Sequence, residues 1–300
     1  MMYQTWITPA FGRRVRGSGG LALALLMLAG CAQTFPQPDP EHEFTDGLSA
    51  DALFERTLAA HGGDLREHPG DINLATDGDW GWWIQRIQPL VADAGYRMTA
   101  EERYRPSEQL YTIRYAGPEG VKKIIREGRD ITVYYDGERE DDADNLAATA
   151  MTTDAVKLFH YGPSFIKHRA RNLTRLPDAE EDGTRYHRVL ADIAPGFGEA
   201  EDDAVVLWIH PDTDLLYRVH LTLSGFETTQ GAHVDTTFLE YGEVGPFTLP
   251  TRFSERVRGP LRLWAHDWWV TGVDHDRGWT AADVVGPEYT GEAAVPAGEH

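Results

Sequence analysis

Short runs of alternating apolar and polar residues, separated by turn sequences, limit the folds open to this chain more than any other feature. The clearest pair of runs, 204–209 and 215–223, flanks a Pro- and Asp-containing turn at 211–214. Such a pattern predicts a hairpin of half-buried strands. Similar runs occupy 109–115, 121–126, 131–135, 186–193, 234–241, 251–257 and 261–273. So many strands at short spacing predict an antiparallel sheet that must curl, close or be covered.

Two helices are predicted among these strands. Residues 49–60 carry apolar side chains at helical spacing and end at His61 and two glycines, which is typical of a helix stop. Residues 145–159 form the second helix. The fold class is therefore predicted to be mainly β (α+β), with a large curled antiparallel sheet and a few helices.

The N-terminus has the features of an export signal. Arginines 13, 14 and 16 precede the apolar run 21–28, which is too short to cross a bilayer. The sequence Leu28-Ala29-Gly30-Cys31 resembles the lipobox of bacterial lipoproteins. That resemblance implies that residues 1–30 are a lipoprotein signal peptide and that Cys31 carries the lipid. An ordinary signal peptide with a chance cysteine is the alternative.

The only cysteine of the chain is Cys31, so the chain can form no disulfide of its own. A lone thiol in an exported protein calls for an explanation, and lipidation supplies one. Residues 31–48, rich in Pro and polar side chains, are predicted to be the acylated cysteine and a flexible tether. Ala32 follows the cysteine, and in the lipoproteins that this segment resembles, this favours the periplasmic face of the outer membrane.

The charge of the chain excludes one class of partner. The sequence has 28 Lys and Arg residues against 48 Asp and Glu residues, a net charge of −20. Because binding to nucleic acid is driven by Lys and Arg against phosphate, we expect no nucleic-acid partner.

The hairpin at 205–219, followed by Phe238-Leu239-Glu240-Tyr241 and Leu249-Pro250-Thr251, resembles the superfamily of the LolA lipoprotein carrier and its LolB receptor. The resemblance implies a half-barrel of antiparallel strands with lid helices, whose concave apolar face holds acyl chains. It implies a single domain over 49–285. Residues 286–300 are polar and contain Gly and Pro, and are predicted to be a flexible tail. No catalytic signature accompanies the resemblance, and we predict no enzyme activity, cofactor or metal.

The predicted function is to bind an apolar ligand, which is an acyl chain, a lipid or the lipid part of another lipoprotein, at a membrane-anchored concave sheet. Burial of apolar area, at about 25 cal/mol per Å², would drive that binding. Strict alternation in the hairpin's second strand places Tyr217 and Val219 on one face and Leu216 on the other. The predicted wall residues are Tyr111, Ile113, Ile131, Val133, Leu207, Ile209, Tyr217 and Val219.

Three alternatives remain open at this point. Histidines and aspartates at 266–276 could bind zinc, although their spacing matches no ligand signature, and these or the ones at 210–212 could serve a hydrolase. The tryptophans near 80–83 and 264–269 could pack in the core, line an apolar cavity or contact a membrane. A sheet filled by its own side chains would instead indicate a structural or interaction lipoprotein of the envelope.

Overall fold

A computed structural model describes residues 33–289 and 293–296. Cys31 and the predicted signal peptide at 1–30 lie outside the described residues, so lipidation stays a prediction from the sequence. No helix within the described ranges is both long and apolar enough to cross a bilayer.

The described chain contains four α-helices and thirteen strands. The helices are α1 (Ala50–Ala60), α2 (Trp82–Ile87), α3 (Pro89–Ala92) and α4 (Ala143–Lys167). The first six strands are β1 (Ile72–Trp80), β2 (Thr99–Arg105), β3 (Leu110–Gly117), β4 (Gly120–Glu127), β5 (Asp130–Tyr135) and β6 (Glu138–Arg139). The remaining seven are β7 (Ala170–Glu181), β8 (Thr184–Ile193), β9 (Asp203–Ile209), β10 (Leu216–Thr222), β11 (His233–Val244), β12 (Phe247–Gly259) and β13 (Leu263–His275).

All thirteen strands form one antiparallel sheet with the order β6-β5-β4-β3-β2-β1-β13-β12-β11-β10-β9-β8-β7. Two meanders therefore meet where the first strand pairs with the last, and β6 and β7 are the two edges. Because β6 and β7 are consecutive in the chain but lie at opposite edges, their connection has to cross a face of the sheet. Helix α4 makes that crossing, since its 25 residues would span about 38 Å in a straight helix and the kink at Gly162 lies near its end.

The predicted fold class is confirmed: the sheet is curled, open and antiparallel, with few helices. Each of the nine predicted strands is present, with ends shifted by up to four residues. Helix α1 begins where Ser49 caps it, its hydroxyl accepting from Ala52 N at 3.1 Å. Helix α4 continues past the predicted end at 159, through a kink at Gly162. Strands β1, β2, β6 and β7 were not predicted.

Helix α4 packs into the concave face of the sheet. Met151 and Phe159 share a buried cluster with Leu207 and the other inward side chains of β8 to β12. Tyr161, further along α4, belongs to a second cluster with Ile113 and the inward side chains of β1 to β5. The helix thus fills much of the curve, and the space that remains lies beside its middle.

The C-terminal segment covers part of the convex face. Lys123 of β4 is buried there and its ammonium donates to the carbonyl oxygens of Gly286, at 2.6 Å, and Glu288, at 2.8 Å. The Tyr289 hydroxyl lies 2.9 Å from the Thr112 hydroxyl. Residues 286–289, within the segment predicted as a flexible tail, therefore contact the sheet.

The predicted tether also contacts the convex face. Gln33 N donates to Arg258 O at 3.0 Å, and the Phe35 ring packs edge-on against the rings of His220 and His233. Those two imidazoles lie 2.7 Å apart, from His220 Nε2 to His233 Nδ1.

Candidate functional site

Seven of the eight predicted wall residues belong to the apolar clusters on the concave side. Tyr111, Ile113, Ile131 and Val133 pack in the cluster that contains Tyr161, and Leu207, Ile209 and Val219 pack in the cluster that contains Met151. Ile113 alone among the eight lines the cavity described below. The other six are covered by neighbouring side chains, and ligand binding by any of them stays a prediction.

Tyr217 lies on the opposite, convex face, so its predicted orientation is wrong. In β10, Leu216 pairs with Ile209 but Arg218 pairs with Trp208, which leaves residue 217 as an extra residue in a β-bulge. A bulge reverses the alternation. Leu216 consequently enters the core, and the Tyr217 ring stacks on Tyr186 at 4.1 Å between centroids.

A cavity of about 220 Å³ lies between α4, the middle of the sheet and the pair α2–α3. Its wall is mostly apolar. Helix α4 contributes Met151, Ala155 and Phe159, and the sheet contributes Val234 and Val257. An apolar cavity of about 150 Å³ in another protein holds benzene, so a space of this size admits a chain of carbon atoms.

The two short helices over the cavity, residues 82–92, are called the lid below. Gly81 starts it: its N–H donates to Ala265 O at 2.8 Å, and a Cβ at this position would meet Trp264 O at 2.5 Å. Only glycine allows the chain to approach β13 so closely. Pro89 begins the second helix, where no backbone N–H is needed, and Asp93 ends it in a left-handed conformation.

Two sets of hydrogen bonds hold the lid against the cavity. Gln88 Nε2 donates to Thr228 O at 2.8 Å, and Thr228 Oγ1 donates to Gln88 Oε1 at 2.7 Å. Arg97 Nη1 donates to Val91 O at 2.8 Å, and the carbonyl of the same arginine accepts from Trp80 Nε1 at 2.6 Å. The first set is exposed and the second is partly buried.

The end of the lid is attached to the sheet by a carboxylate. Asp93 Oδ2 accepts from Lys122 Nζ at 2.6 Å and from the Tyr135 hydroxyl at 2.8 Å. Lys122 also donates to Thr149 Oγ1 of α4 at 2.9 Å. Burial lowers the pKa of Lys122 to about 8, and the Asp93 charge opposes that shift. One ammonium thus joins lid, sheet and α4.

One side of the cavity is aromatic and polar. The His266 ring is stacked between Trp80, at 3.9 Å, and Trp268, at 4.7 Å between centroids. Trp268 Nε1 donates to His160 Nε2 at 3.0 Å, and His160 Nδ1 lies 2.8 Å from Glu102 Oε1. Because Nε2 of His160 accepts, a neutral ring carries its proton on Nδ1, which forms no hydrogen bond with Glu102 Oε1.

Three more ionisable groups face this cavity. Glu255 pairs with His266 across β12 and β13, and burial raises the pKa of Glu255 to about 7, with the Arg97 charge acting against the shift. Burial holds the pKa of His266 well below its ordinary value, so this ring is neutral. Arg97 is 7% exposed.

The outer surface of the lid is apolar and open. Trp82 is 54% exposed and Trp83 is 58% exposed, with their rings edge to face at 4.5 Å. Ile87 and Leu90 are exposed as well, and Ile87 also lines the cavity, which places this surface at its mouth. The Arg86 guanidinium lies 4.3 Å from the Trp82 ring centroid.

The histidines and aspartates of 266–276 do not converge. His266 lies at the cavity and His275 lies nine residues further along β13, about 30 Å away for an extended strand. There His275 Nδ1 is 2.8 Å from Asp276 Oδ2, and Asp274 is paired with Arg277 at 2.6 Å. These groups form local pairs rather than one ligand set.

Among the described residues, one group could offer three ligand atoms to a metal: Asp46, Asp178 and His187. The Arg175 guanidinium already lies between the two carboxylates, 3.1 Å from Asp46 and 2.6 Å from Asp178. A cation bound there would have to displace it. The turn at 210–212 is a local one, with Asp212 N donating to His210 Nδ1.

Sequence reasoning missed the lid and the polar wall. Of these residues, the sequence signalled the tryptophans near 80–83 and 264–269, and His266 as a candidate for a hydrolase or a zinc site. Arg97 and Glu255 had no signal, because an isolated charged residue is ordinarily solvated.

No protein-family model matches the sequence. The search of curated proteins finds no match either.

Solved structures of similar fold exist. A LolA superfamily protein from Nitrosomonas europaea is 11% identical, with 79% of this chain and 98% of that chain covered and a TM-score of 0.45. A DUF1329 family protein from Desulfovibrio piger is 12% identical, with coverages of 78% and 96% and a TM-score of 0.47. A putative outer membrane lipoprotein-sorting protein domain from Vibrio parahaemolyticus is 10% identical, with coverages of 79% and 96% and a TM-score of 0.43. The printed name of the Nitrosomonas europaea protein is that of the superfamily that the 205–219 hairpin resembles.

Proposed function

We propose that this chain is a lipid-anchored envelope protein that binds an acyl chain, of a lipid or of another lipoprotein, in the cavity under the lid. The observation that supports this most is the cavity of about 220 Å³, with mostly apolar walls and an exposed apolar surface at its mouth. Each methylene that leaves water for such a space contributes about 0.8 kcal/mol. A cavity with apolar walls and few polar groups is typical of ligand sites.

The proposed role is binding without a catalytic step. The histidine nearest to a carboxylate in the cavity wall, His160, accepts from Trp268, and its Nδ1 lies 2.8 Å from Glu102 Oε1 without forming a hydrogen bond. The second carboxylate oxygen of Glu102 accepts from the Tyr161 hydroxyl at 3.1 Å. The separation of 2.8 Å between His160 and Glu102 leaves no room for a reacting atom between them.

The proposed location is the periplasmic face of the outer membrane, with Cys31 as the anchored residue. Its support is the lipobox-like sequence Leu28-Ala29-Gly30-Cys31 and the Ala32 that follows. We expect Cys31→Ser to move the protein from the membrane fraction to the soluble periplasmic fraction. A Cys31→Ser protein that stays with the membrane would contradict a lipid anchor on this residue.

The binding function is tested on the exported mature chain, residues 31–300 with Cys31→Ser, by native mass spectrometry and lipid extraction. Fatty acid or phospholipid that co-purifies and is released on denaturation is the expected result. A ligand-free mass that added lipid does not change would favour the alternative of an interaction lipoprotein, since α4 fills much of the concave face.

A cavity-filling variant locates the ligand. Ala155 of α4 lines the cavity, so Ala155→Phe should occupy part of it and lower the amount of bound lipid at least severalfold. Ala143, at the exposed start of the same helix, is the matched position, and Ala143→Phe should bind as the parent does. Equal binding by both variants would place the ligand elsewhere.

A further inference from the structure

Arg97 is a buried positive charge in the wall of a mostly apolar cavity. Its guanidinium donates once to the lid, to Val91 O, and lies over the rings of Trp80 and Tyr115 at 4.9 and 5.2 Å from their centroids. Its Nε has no hydrogen-bond partner. Within 33–289 and 293–296, no carboxylate oxygen lies within 4.0 Å of its nitrogens.

Other buried arginines of the chain are arranged differently. Arg126 lies 3.4 Å from Asp154, and Arg258 lies 2.6 Å from Asp235. Arg218 is paired with Glu181. A guanidinium has five N–H donors, and burying it without a carboxylate is costly, so pairing is the general solution. At Arg97 the pairing group is missing from the described chain, although the cavity beside it has room for one.

The nearby carboxylates do not fill that role. Glu102 is engaged by His160 and by the Tyr161 hydroxyl. Glu255 faces the same cavity, but it lies beyond 4.0 Å from the Arg97 nitrogens. The positive charge is therefore available to a group that enters from the cavity.

We propose that the ligand of this cavity is a single-chain amphiphile with a carboxylate head, a long-chain fatty acid, and that Arg97 binds its carboxylate. The inference rests on the proposed function, since it identifies the head group of the chain that the cavity would hold. Arg–carboxylate pairs are bidentate and among the stronger hydrogen-bonded pairs in proteins. The volume of about 220 Å³ lies below the range of about 300 to 1,000 Å³ of sites that bury a drug-sized ligand, so the cavity would enclose part of one chain and exclude a two-chain lipid.

The carboxyl group of Glu255 in the cavity wall favours a carboxylate head group over a phosphate head group. Burial raises the pKa of Glu255 to about 7, so near neutrality the group holds a proton in about half of the molecules. A protonated carboxyl can donate its O–H to a carboxylate ligand. A doubly charged phosphate would meet more repulsion from Glu255 in its ionised form than a singly charged carboxylate.

The test compares ligands that share a sixteen-carbon chain, namely palmitate, hexadecanol and hexadecyl phosphate. Affinities are measured by isothermal titration calorimetry below the critical micelle concentration, on the mature chain with Cys31→Ser. Palmitate should bind about tenfold or more tightly than hexadecanol, the effect expected of one charge-assisted pair. Equal affinities would overturn this inference and leave the proposed function intact, whereas no binding of any of the three would contradict the proposed function. Tighter binding of hexadecyl phosphate than of palmitate would overturn the carboxylate assignment.

Variants assign the preference to one residue. Arg97→Gln should bind palmitate and hexadecanol with affinities within about threefold of each other, and Arg97→Lys should retain part of the preference. Arg86→Gln, which removes an exposed arginine of the lid, should keep the preference for palmitate. A palmitate preference that survives in Arg97→Gln would overturn the role of Arg97. If Arg97→Gln does not fold, the comparison of ligands on the unsubstituted protein and on Arg97→Lys still decides.

Discussion

Gln88 and Thr228 exchange two hydrogen bonds across the cavity mouth: Gln88 Nε2 donates to Thr228 O, and Thr228 Oγ1 donates to Gln88 Oε1. The pair joins the lid to the turn Glu227–Thr229, which belongs to the other meander of the sheet. Both bonds are exposed, so each contributes only about 0.5 to 1.5 kcal/mol. A contact of this strength can open without unfolding the protein.

Removing this pair should loosen the lid selectively. We expect Gln88→Ala to raise amide hydrogen exchange in residues 82–92 and to lower the free energy of unfolding by about 1 kcal/mol or less. Gln85→Ala is the control on the same lid, because the Gln85 side chain donates to the nearby Trp80 carbonyl and not across the cavity mouth. If Gln85→Ala and Gln88→Ala changed exchange in the lid equally, the Gln88–Thr228 pair would not be its closing contact.

The alternation of apolar residues predicts strands well where one face of a strand is buried and the other is not. Strands β3, β4 and β5 lie within two residues of their predicted bounds for this reason. The same rule fails at Tyr217. Both faces of β10 carry apolar or aromatic side chains, because a separate cluster, which contains Tyr186 and Trp208, covers the convex face there. Nothing in the alternation then marks the bulge that places Leu216, rather than Tyr217, in the core.

Strand β1 was missed for a related reason. It lies in the centre of the sheet and is covered on both faces, yet it carries polar residues. Asn73 donates to Asp71 at 2.6 Å and to Asp274 at 2.9 Å, and it accepts from Trp279 Nε1 at 2.9 Å. Such residues are tolerated inside because they are hydrogen-bonded. Two of the three partners, Asp274 and Trp279, are distant in the chain, and one sequence does not reveal them. The lid escaped prediction because helices of six and four residues are too short to show a periodicity.

The kink in α4 depends on a residue without a side chain. Gly162 has φ 45° and ψ −123°, a conformation that L-residues rarely adopt. A Cβ here would have space, since its nearest neighbour is Leu216 Cδ1 at 3.4 Å, so backbone strain decides the outcome. We expect Gly162→Ala to lower the free energy of unfolding by about 1 to 3 kcal/mol in urea titrations. Gly286→Ala, at a glycine without a positive φ and with open space, should be neutral, and a neutral Gly162→Ala would contradict the strain.

The attachment of the lid by Asp93 should be strongly coupled to Lys122. Asp93→Asn keeps a residue that tolerates the left-handed backbone but removes the negative charge that faces the buried Lys122 ammonium. This should lower the free energy of unfolding by about 3 kcal/mol. In a Lys122→Met background the same change should cost much less, because no unpaired charge remains. Urea unfolding of the two single variants and the double variant measures this coupling. Additive losses would show that the two groups do not depend on each other.

Glu255 should make the protein less stable as the pH rises. Its pKa is raised from an ordinary value of 4.5 to about 7, because burial disfavours the ionised form. The folded state therefore holds this proton more tightly than the unfolded state. Its contribution to stability is complete below about pH 4.5 and is lost as the pH rises to about 7.

A glutamine in place of Glu255 stays neutral at every pH, so Glu255→Gln should not lose stability as the pH rises. Relative to the unsubstituted protein, the variant should have a free energy of unfolding about 1 to 3 kcal/mol higher at pH 8, with the difference shrinking towards pH 4. The lower part of that range allows for water in the cavity, which would screen the charge. Glu243→Gln, at an exposed position on β11, is the control, and its difference should stay within about 0.5 kcal/mol at all pH values. A Glu255→Gln difference that does not change with pH would mean that the cavity wall does not hold Glu255 in its protonated form.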